Sequence, residues 1–275
     1  MTQSAPQMTT ISVRLEGAVA EVSLNRPDRS NAMNEAMWQE LRTAMRWADA
    51  TPEVRAVVLA GAGKNFCAGI DLAMLGGVAQ AVAHADPARS REKSRRLILD
   101  LQDCLSSIEQ CRKPVLAAIQ GACIGGALDM VTCCDMRYAS ADALFSVREV
   151  DVGMAADVGT LQRLPRIVPE GMARELAYTG RNIGADEAVT IGLINRVFAS
   201  PDELVAGVMQ IAQSIAAKSP LAIRGTKEML NYGRDHSVAD GLNYIATWNA
   251  AMLMSADLNE AMAAAKERRP PKFAD

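Results

Sequence analysis

The sequence of 275 residues has few of the residues on which several common chemistries depend. It contains only two histidines, His84 and His236, which are far apart and lack neighbouring metal-type ligands. This scarcity argues strongly against a zinc enzyme and weakly against a nucleophile activated by histidine. We expect His84 in a loop and His236 at a helix boundary. Any catalysis must therefore use other titratable side chains, and we expect no metal site.

The six cysteines are spaced in a way that excludes most cysteine chemistry. No two of them form a Cys-x-x-Cys pair, and most lie in apolar or helical contexts. Such cysteines behave as small hydrophobic residues in a protein interior. We therefore predict buried free thiols.

Long apolar runs and a strong charge of either sign are also missing. No stretch approaches the roughly 18 apolar residues of a membrane span, and residues 1–10 lack a signal-peptide core. The last four residues are not a Ser-Lys-Leu type peroxisomal address. The net charge of -3 provides no overall attraction to nucleic acid or to an anionic membrane. We expect a cytoplasmic protein without nucleic-acid or membrane partners.

What is present is the composition of a large globular protein, with 49% hydrophobic and 22% charged residues. Strand and helix patterns alternate up to about residue 199, and only helical patterns follow. One of the helices is predicted over 89–111, where apolar residues recur every three or four positions. The order of elements indicates an α/β core over 1–199 and a helical region over 200–275.

Two glycine-rich turns, 61–71 and 121–126, each follow an apolar strand. The first does not match a phosphate-binding P-loop, because Val58 and Asn65 occupy required positions. The second does not match a dinucleotide fingerprint, because Cys123 replaces its second glycine. Each turn could still present one backbone N–H to the same ligand oxygen. Two such donors would form an oxyanion hole.

Three acids, Asp129, Glu149 and Asp157, occur in otherwise apolar and glycine-rich surroundings near the second turn. Asp129 follows Gly126 by three residues, about one helical turn, and would face the same pocket. An apolar pocket raises carboxyl pKa values, and mutual repulsion favours one acid staying protonated. From the residues alone, Asp129 could equally be a capping or ion-paired structural acid.

Several motifs in a fixed order resemble the crotonase (enoyl-CoA hydratase/isomerase) superfamily over nearly the whole chain. They are Asn25-Arg-Pro, residues 31–34, Phe66-Cys-Ala-Gly-Ile-Asp71, Lys113-Pro114, residues 121–129, Cys134-Asp135 and Gln162-Arg-Leu-Pro165. The resemblance implies an α/β fold, a spiral of ββα units with a C-terminal helical trimerisation region. It also implies an acyl-CoA thioester substrate, no separate cofactor because coenzyme A is part of the substrate, and a homotrimer or a homohexamer built as a dimer of trimers.

The resemblance also assigns residues to the two glycine-rich turns. It implies that the backbone N–H groups of Ala68 and Gly126 hold the thioester oxygen. The substrate-binding set that it implies is Ala68, Gly69, Ile70, Asp71, Leu72 and Gly126.

Coenzyme A carries phosphates, so local cations should matter. Arg26, Arg29 and Lys64 lie in the loops nearest the predicted site. A basic C-terminal run of Lys266, Arg268, Arg269 and Lys272 could reach a neighbouring subunit's ligand. It could equally be a solvated helix end that the helix dipole favours.

The acidic residues distinguish between the reactions that members of the superfamily catalyse. Hydratases typically carry glutamates at the positions of Asp129 and Glu149, and here the first is one methylene shorter. The third acid, Asp157, and the run 149–165 resemble members that isomerise dienoyl-CoA thioesters. This resemblance implies conversion of 3,5-dienoyl-CoA to 2,4-dienoyl-CoA. Glu149 would remove the C2 proton and Asp157 would supply the C6 proton, or the two roles could be exchanged.

Three other readings remain open at this point. The chain could be an enoyl-CoA hydratase or an isomerase that moves a single double bond. It could be a non-catalytic binder of CoA or RNA, although its acidity disfavours RNA. A peptidase with a similar spiral fold would need a Ser-His-Asp set, for which His84 and His236 are poorly placed.

Overall fold

A computed structural model describes residues 5–275, and within them nine strands form two sheets. The larger sheet has the order β1-β2-β3-β4-β6-β9, and the smaller has the order β5-β7-β8. The strands are β1 (Ile11–Glu16), β2 (Val19–Leu24), β3 (Ala56–Gly61), β4 (Val115–Ile119), β5 (Ala122–Ile124), β6 (Met136–Ser140), β7 (Leu144–Ser146), β8 (Ile183–Gly184) and β9 (Arg196–Phe198).

The helices follow the alternation that the sequence indicates. They are α1 (Glu35–Ala50), α2 (Leu72–Ala81), α3 (Pro87–Gln110), α4 (Gly126–Thr132), α5 (Thr160–Arg163), α6 (Glu170–Thr179), α7 (Ala185–Thr190), α8 (Pro201–Ala216), α9 (Pro220–Tyr232), α10 (Val238–Met252) and α11 (Ala256–Glu267). Helix α2 has no counterpart among the predicted elements. Gly76 and Gly77 interrupt its apolar pattern, and none of its residues is buried.

The larger sheet is antiparallel only in its first hairpin. Glu16 pairs with Val19 across a turn in which Gly17 takes a positive φ of 60°. Every later pairing in this sheet is parallel, from β2 with β3 to β6 with β9. Parallel neighbours need long crossover connections, which here carry most of the helices. The sequence-based prediction of an α/β core is confirmed.

The chain winds as a spiral whose later turns contribute a strand to each of the two sheets. Strand β4 of the larger sheet leads into β5 of the smaller sheet and then into α4. Strand β6 leads in the same way into β7, which pairs parallel with β5. The turn before them joins this layer through a parallel bridge between Cys67 and Cys123. Stacking of the turns therefore brings the segments after β3 and β5 side by side.

Apolar side chains pack against both faces of the larger sheet. One face packs with α1 and α3 around fully buried side chains such as Trp38, Phe66 and Leu105. The other face packs against α8, where Leu204 and Val208 meet Val58 of β3. Continuous burial of β3 and β4 explains why their sequences are almost entirely apolar.

The last three helices are attached more loosely than α8. Helix α9 is anchored by the Lys227 ammonium group, which donates to the Asp135 carboxylate at 2.7 Å and to the Lys113 carbonyl at 3.1 Å. Helix α10 has no buried residue. The division into 1–199 and 200–275 stays a prediction, although the first helix beyond its boundary, α8, packs with the core. No helix of residues 5–275 has the length and apolarity to cross a bilayer.

Replacing Gly207 tests the packing of α8 on the sheet. A Cβ at this position would lie 2.2 Å from the Phe198 ring, so overpacking of about 1–3 kcal/mol opposes the gain of up to about 1 kcal/mol that alanine brings to a helix, and Gly207→Ala should destabilise the fold by up to about 2 kcal/mol. Gly77→Ala in exposed α2 is the matched control, because its Cβ would meet nothing within 4 Å. It should be neutral or stabilise by up to about 1 kcal/mol. Urea unfolding measures both, and equal effects would contradict the packing.

Candidate active site

The two glycine-rich turns meet at Gly69. Its φ of 92° lies in the region that favours glycine, and a Cβ there would lie 2.6 Å from the Ile124 carbonyl oxygen. The same Cβ position is 3.5 Å from the backbone nitrogen of Gly126. Only a residue without a side chain allows this approach. The contact between the turns therefore depends directly on glycine at position 69.

Two backbone N–H groups are left free where the turns meet. Gly126 is the first residue of α4, where helical N–H groups have no partner within the helix. The nitrogen of Ile70 lies 3.9 Å from the position of a Cβ on Gly126. Neither N–H donates a hydrogen bond to any group in residues 5–275. Both can therefore donate to one ligand oxygen.

The prediction of Ala68 as the partner of Gly126 conflicts with this geometry. The Ala68 N–H already donates to the Ser30 carbonyl at 2.9 Å. The physical reason is Gly69 between them, whose φ of 92° breaks the extended backbone, so the N–H groups of Ala68 and Ile70 do not point to the same side as they would in a regular strand. Ala68 therefore faces the loop after β2, and Ile70 is the residue whose N–H is free beside Gly126.

The first turn is fixed by a buried asparagine. The Asn31 side-chain amide donates to the carbonyls of Ala62 and Asn65 at 2.9 Å and of Phe66 at 3.1 Å. Its oxygen accepts from the Arg26 backbone N–H at 2.8 Å. Asn31 also has a positive φ of 54°, which asparagine tolerates better than most residues. This network orders the turn before any ligand binds.

Asp129 is fully buried in the first turn of α4. Its Oδ1 accepts from the Thr160 backbone N–H at 2.5 Å, while its Oδ2 has no hydrogen-bond partner among the described residues. Burial raises the pKa of Asp129, and the Asp157 charge adds to this, whereas the bond from Thr160 opposes it. A buried carboxylate with one unpaired oxygen is costly unless it holds a proton.

Glu149 begins a short 3-10 helix, Glu149–Val152, directly beside the second turn. Its Oε1 lies 3.2 Å from the position that a Cβ on Gly125 would occupy. Burial, followed by the charge of Asp129, raises the pKa of Glu149 to about 7. A carboxyl group with this pKa can take or give a proton near neutral pH.

Asp157 lies in a loop between two glycines with positive φ, Gly153 and Gly159. The side chain is half-buried, and burial raises the pKa of its carboxyl group. Its charge raises the pKa values of both Asp129 and Glu149, so the three acids lie within electrostatic reach of one another. The structure thus brings together the three acids singled out from the sequence.

The other residues predicted to bind substrate differ in their contacts and exposure. Asp71 caps α2 by accepting from the Ala73 N–H at 3.0 Å and pairs with Arg26 at 3.1 Å. The bond from Ala73, followed by the one from Arg26, lowers the pKa of Asp71. Leu72 is exposed. The contacts of Asp71 are those of a structural acid, while the roles of the set in binding stay predictions.

The cations named from the sequence are not equally free. Arg26 is held by Asp71 and exposed Arg29 lies 3.9 Å from the Asp28 carboxylate, whereas Lys64 is exposed at the loop surface. In the basic C-terminal run, Arg269 pairs with Glu260 and Glu267. One of the four cations is therefore already ion-paired with residues of α11. A contact of the others with a neighbouring subunit stays a prediction.

All six cysteines are buried free thiols, as predicted. Burial raises the pKa of Cys67 to about 12, which leaves its thiol unreactive. Residues 5–275 contain no group of three or more His, Cys, Asp or Glu side chains that could hold a metal ion.

Comparison with known proteins places this geometry in a family. The model of the family "Enoyl-CoA hydratase/isomerase" matches residues 14–275. The chain belongs to the enoyl-CoA hydratase/isomerase family. A crystal structure of an enoyl-CoA hydratase from Bacillus anthracis superimposes with a TM-score of 0.88 at 32% identity, covering 97% of this chain and 99% of that one. The crotonase-like fold is confirmed.

Similar curated proteins point to one branch of the family. The chain is 47% identical over 273 residues to "Delta(3,5)-Delta(2,4)-dienoyl-CoA isomerase, peroxisomal" from Arabidopsis thaliana, covering 99% of this chain and 98% of the relative. It is 44% identical over 272 residues to the mitochondrial protein of that name from Homo sapiens, covering 98% of this chain and 83% of the relative. The resemblance to dienoyl-CoA isomerases is confirmed.

These names overturn one expectation. The prediction of a cytoplasmic protein is wrong by this comparison, since the similar isomerases are named peroxisomal or mitochondrial. The prediction used the missing membrane span and the composition of the chain ends, and the physical chemistry of the folded core carries no information about cellular location.

Gly125→Ala should lower turnover, because the new Cβ would lie 3.2 Å from the Glu149 carboxylate at a residue whose φ is 57°. Gly17→Ala, in the turn between β1 and β2, is the control. Its φ of 60° also disfavours a side chain, but its Cβ would meet nothing within 4 Å. We expect a loss of roughly 100-fold in kcat for the first variant, since small displacements of a reacting group have effects of this size. Equal kcat values for the two variants would contradict the placement of Glu149.

The raised pKa of Glu149 predicts the acid limb of the pH profile. A carboxyl group acting as a base must be ionised, and the ionised fraction of Glu149 declines as the pH falls below about 7. The kcat/KM should therefore fall with decreasing pH through this range, approaching roughly tenfold per unit at lower pH. Steady-state assays from pH 5 to 9 measure the profile. Constant kcat/KM down to pH 5 would contradict a base with this pKa.

Proposed function

We propose that this protein is an enzyme that converts a 3,5-dienoyl-CoA to a 2,4-dienoyl-CoA. The observation that carries the proposal is the third acid. Asp157 lies in electrostatic reach of Asp129 and Glu149, and Glu149 lies beside Gly125, which directly precedes the free N–H of Gly126. The names of the similar isomerases support the same reaction.

The reaction removes one proton from C2 and adds one at C6, and the double bonds shift between these atoms. We assign the thioester oxygen to the N–H groups of Ile70 and Gly126, where negative charge develops when C2 loses its proton. One such donor contributes about 3 kcal/mol or more to catalysis. The free N–H groups, rather than the occupied one of Ala68, support this assignment.

Glu149 is the better candidate for the base at C2. C2 is bonded to the thioester carbon, so its proton must lie close to the oxyanion donors. Glu149 is the acid with direct geometric proximity to that turn, through Gly125. Its pKa of about 7 suits a general base.

Asp157 then delivers the proton at C6. C2 and C6 are four bonds apart, so one carboxyl group cannot easily serve both atoms. Burial raises the pKa of Asp157, so part of the population carries the proton that an acid must deliver, while the ionised form is the one whose charge raises the pKa of Glu149. After turnover Glu149 holds the proton from C2 and Asp157 has lost one, and exchange with solvent restores both.

Asp129 serves this pair electrostatically. Its charge raises the pKa of Glu149, and its fixed position depends on the Thr160 N–H. A hydratase would instead use two acids of similar reach to activate water. The shorter Asp129 is tied to α5 through one oxygen, which supports isomerisation over hydration.

The remaining parts of the proposal concern the ligand and the assembly. The exposed cations Arg29 and Lys64 are suited to the phosphates of coenzyme A, which enters as part of the substrate. No further cofactor is proposed. Large apolar side chains on the last two helices are exposed, including Val238, Leu242 and Met262. Their exposure supports a homotrimer or a homohexamer in which a neighbouring copy covers them.

Isomerisation can be tested by absorbance, because it brings the two double bonds into conjugation with the thioester carbonyl. Wild-type protein should convert a 3,5-dienoyl-CoA to a product with the longer-wavelength absorbance of a 2,4-dienoyl thioester. Asp157→Asn should lower this kcat roughly 10²- to 10⁴-fold, the usual contribution of a general acid. Asp142→Asn is a control on an exposed acid outside the site. Rapid hydration of crotonyl-CoA without any dienoyl product would reject the proposal in favour of a hydratase.

A further inference from the structure

The loop that carries Asp157 has little backbone support of its own. It runs between Gly153 and Gly159, whose φ angles are 75° and 139°. Within residues 5–275, the backbone of 155–158 makes one hydrogen bond to another element. The Gln102 side-chain amide donates through Nε2 to the Asp157 carbonyl oxygen at 2.6 Å.

Gln102 lies on one face of α3. The same face also contacts Arg163, at the end of α5. Ser106 and Glu109 follow Gln102 at spacings of four and three residues, which places all three on the same side of the helix. Arg163, at the end of α5, donates to Ser106 Oγ at 3.3 Å and to Glu109 Oε2 at 2.8 Å. Helix α3 therefore holds the chain on both sides of Gly159, at Asp157 and at Arg163.

We propose that Gln102 is a positioning residue for the acid Asp157, a role that rests on the proposed function. The direction in which a carboxyl group points depends on the orientation of its own peptide unit, because the side chain starts at the Cα. By holding the Asp157 carbonyl, Gln102 restricts the rotation that the flanking glycines would otherwise allow. The carboxyl group thereby stays aimed at the far end of the acyl chain.

The other contacts of the site make this role separable from folding. Ala156 and Val158 are buried and keep the loop attached to the core without Gln102. Asp129 is held by the Thr160 N–H, on the side of Gly159 that Arg163 fixes to α3, and Glu149 lies beside Gly125, so neither carboxyl group contacts this amide. Loss of Gln102 should impair proton delivery at C6 while leaving proton removal at C2 intact.

This separation can be measured in D₂O with a 3,5-dienoyl-CoA. Gln102→Leu removes the donor with little change in volume and should lower the isomerisation kcat roughly 10- to 100-fold. Exchange of deuterium into C2, followed by mass spectrometry, should stay within a factor of about two of wild type. Gln102→Met is a second variant without a donor and should show the same pattern if the leucine variant folds poorly.

Gln110→Leu is the matched control, since Gln110 lies on the same helix, is exposed and makes no side-chain hydrogen bond within the described chain. It should isomerise at the wild-type rate. The role of Gln102 is overturned if Gln102→Leu isomerises normally, or if exchange at C2 falls in proportion to isomerisation. Loss of activity in Asp157→Asn alongside a normal Gln102→Leu rejects only this inference. Wild-type activity in Asp157→Asn rejects the proposed roles of the acids, and that of Gln102 with them.

Discussion

The close approach of two chain segments at Gly69 is the constraint on which the candidate site depends. A methyl group at that position would collide with the Ile124 carbonyl, so the first turn could no longer lie against the start of α4. The approach leaves the N–H groups of Ile70 and Gly126 side by side, without a hydrogen-bond partner in the described part of the chain. Free donors oriented in advance lose no free energy to reorganisation when charge develops, which is why such pairs are effective catalytically.

The acids beside this pair are held at a cost in stability. Burial raises the pKa of Glu149 from its ordinary value of 4.5 to about 7, so ionising this group costs more in the folded chain than in the unfolded one. The contribution of Glu149 to stability is therefore fully present below about pH 4.5 and is lost as the pH rises through about 7. Within residues 5–275 the buried Oδ2 of Asp129 has no hydrogen-bond partner, which adds a further cost. Apolar surroundings that destabilise these carboxylates also make them able to exchange protons near neutrality.

Some of this arrangement could be predicted from local patterns, and some could not. The glycines of both turns, the apolar strands and the three acids are visible as residue types at short spacings. Local patterns do not show which backbone N–H is the free donor, because Ala68 and Ile70 lie two residues apart on either side of Gly69. Pairing of Ala68 with Ser30, which is 38 residues away, decides which N–H remains free. Helix α2 was missed because two central glycines and a lack of buried residues remove the signals by which helices are recognised.

Residue types and short spacings therefore determined the fold class, the family motifs and the acids that carry the chemistry, since these depend on interactions between near neighbours in the chain. Tertiary structure alone decided which N–H groups are free, which acid lies beside them and which side chain holds the Asp157 loop. The link from Gln102 to Asp157 spans 55 residues. Such contacts exist only after the spiral has stacked α3 against the loop before α5, so they have no counterpart in any local pattern.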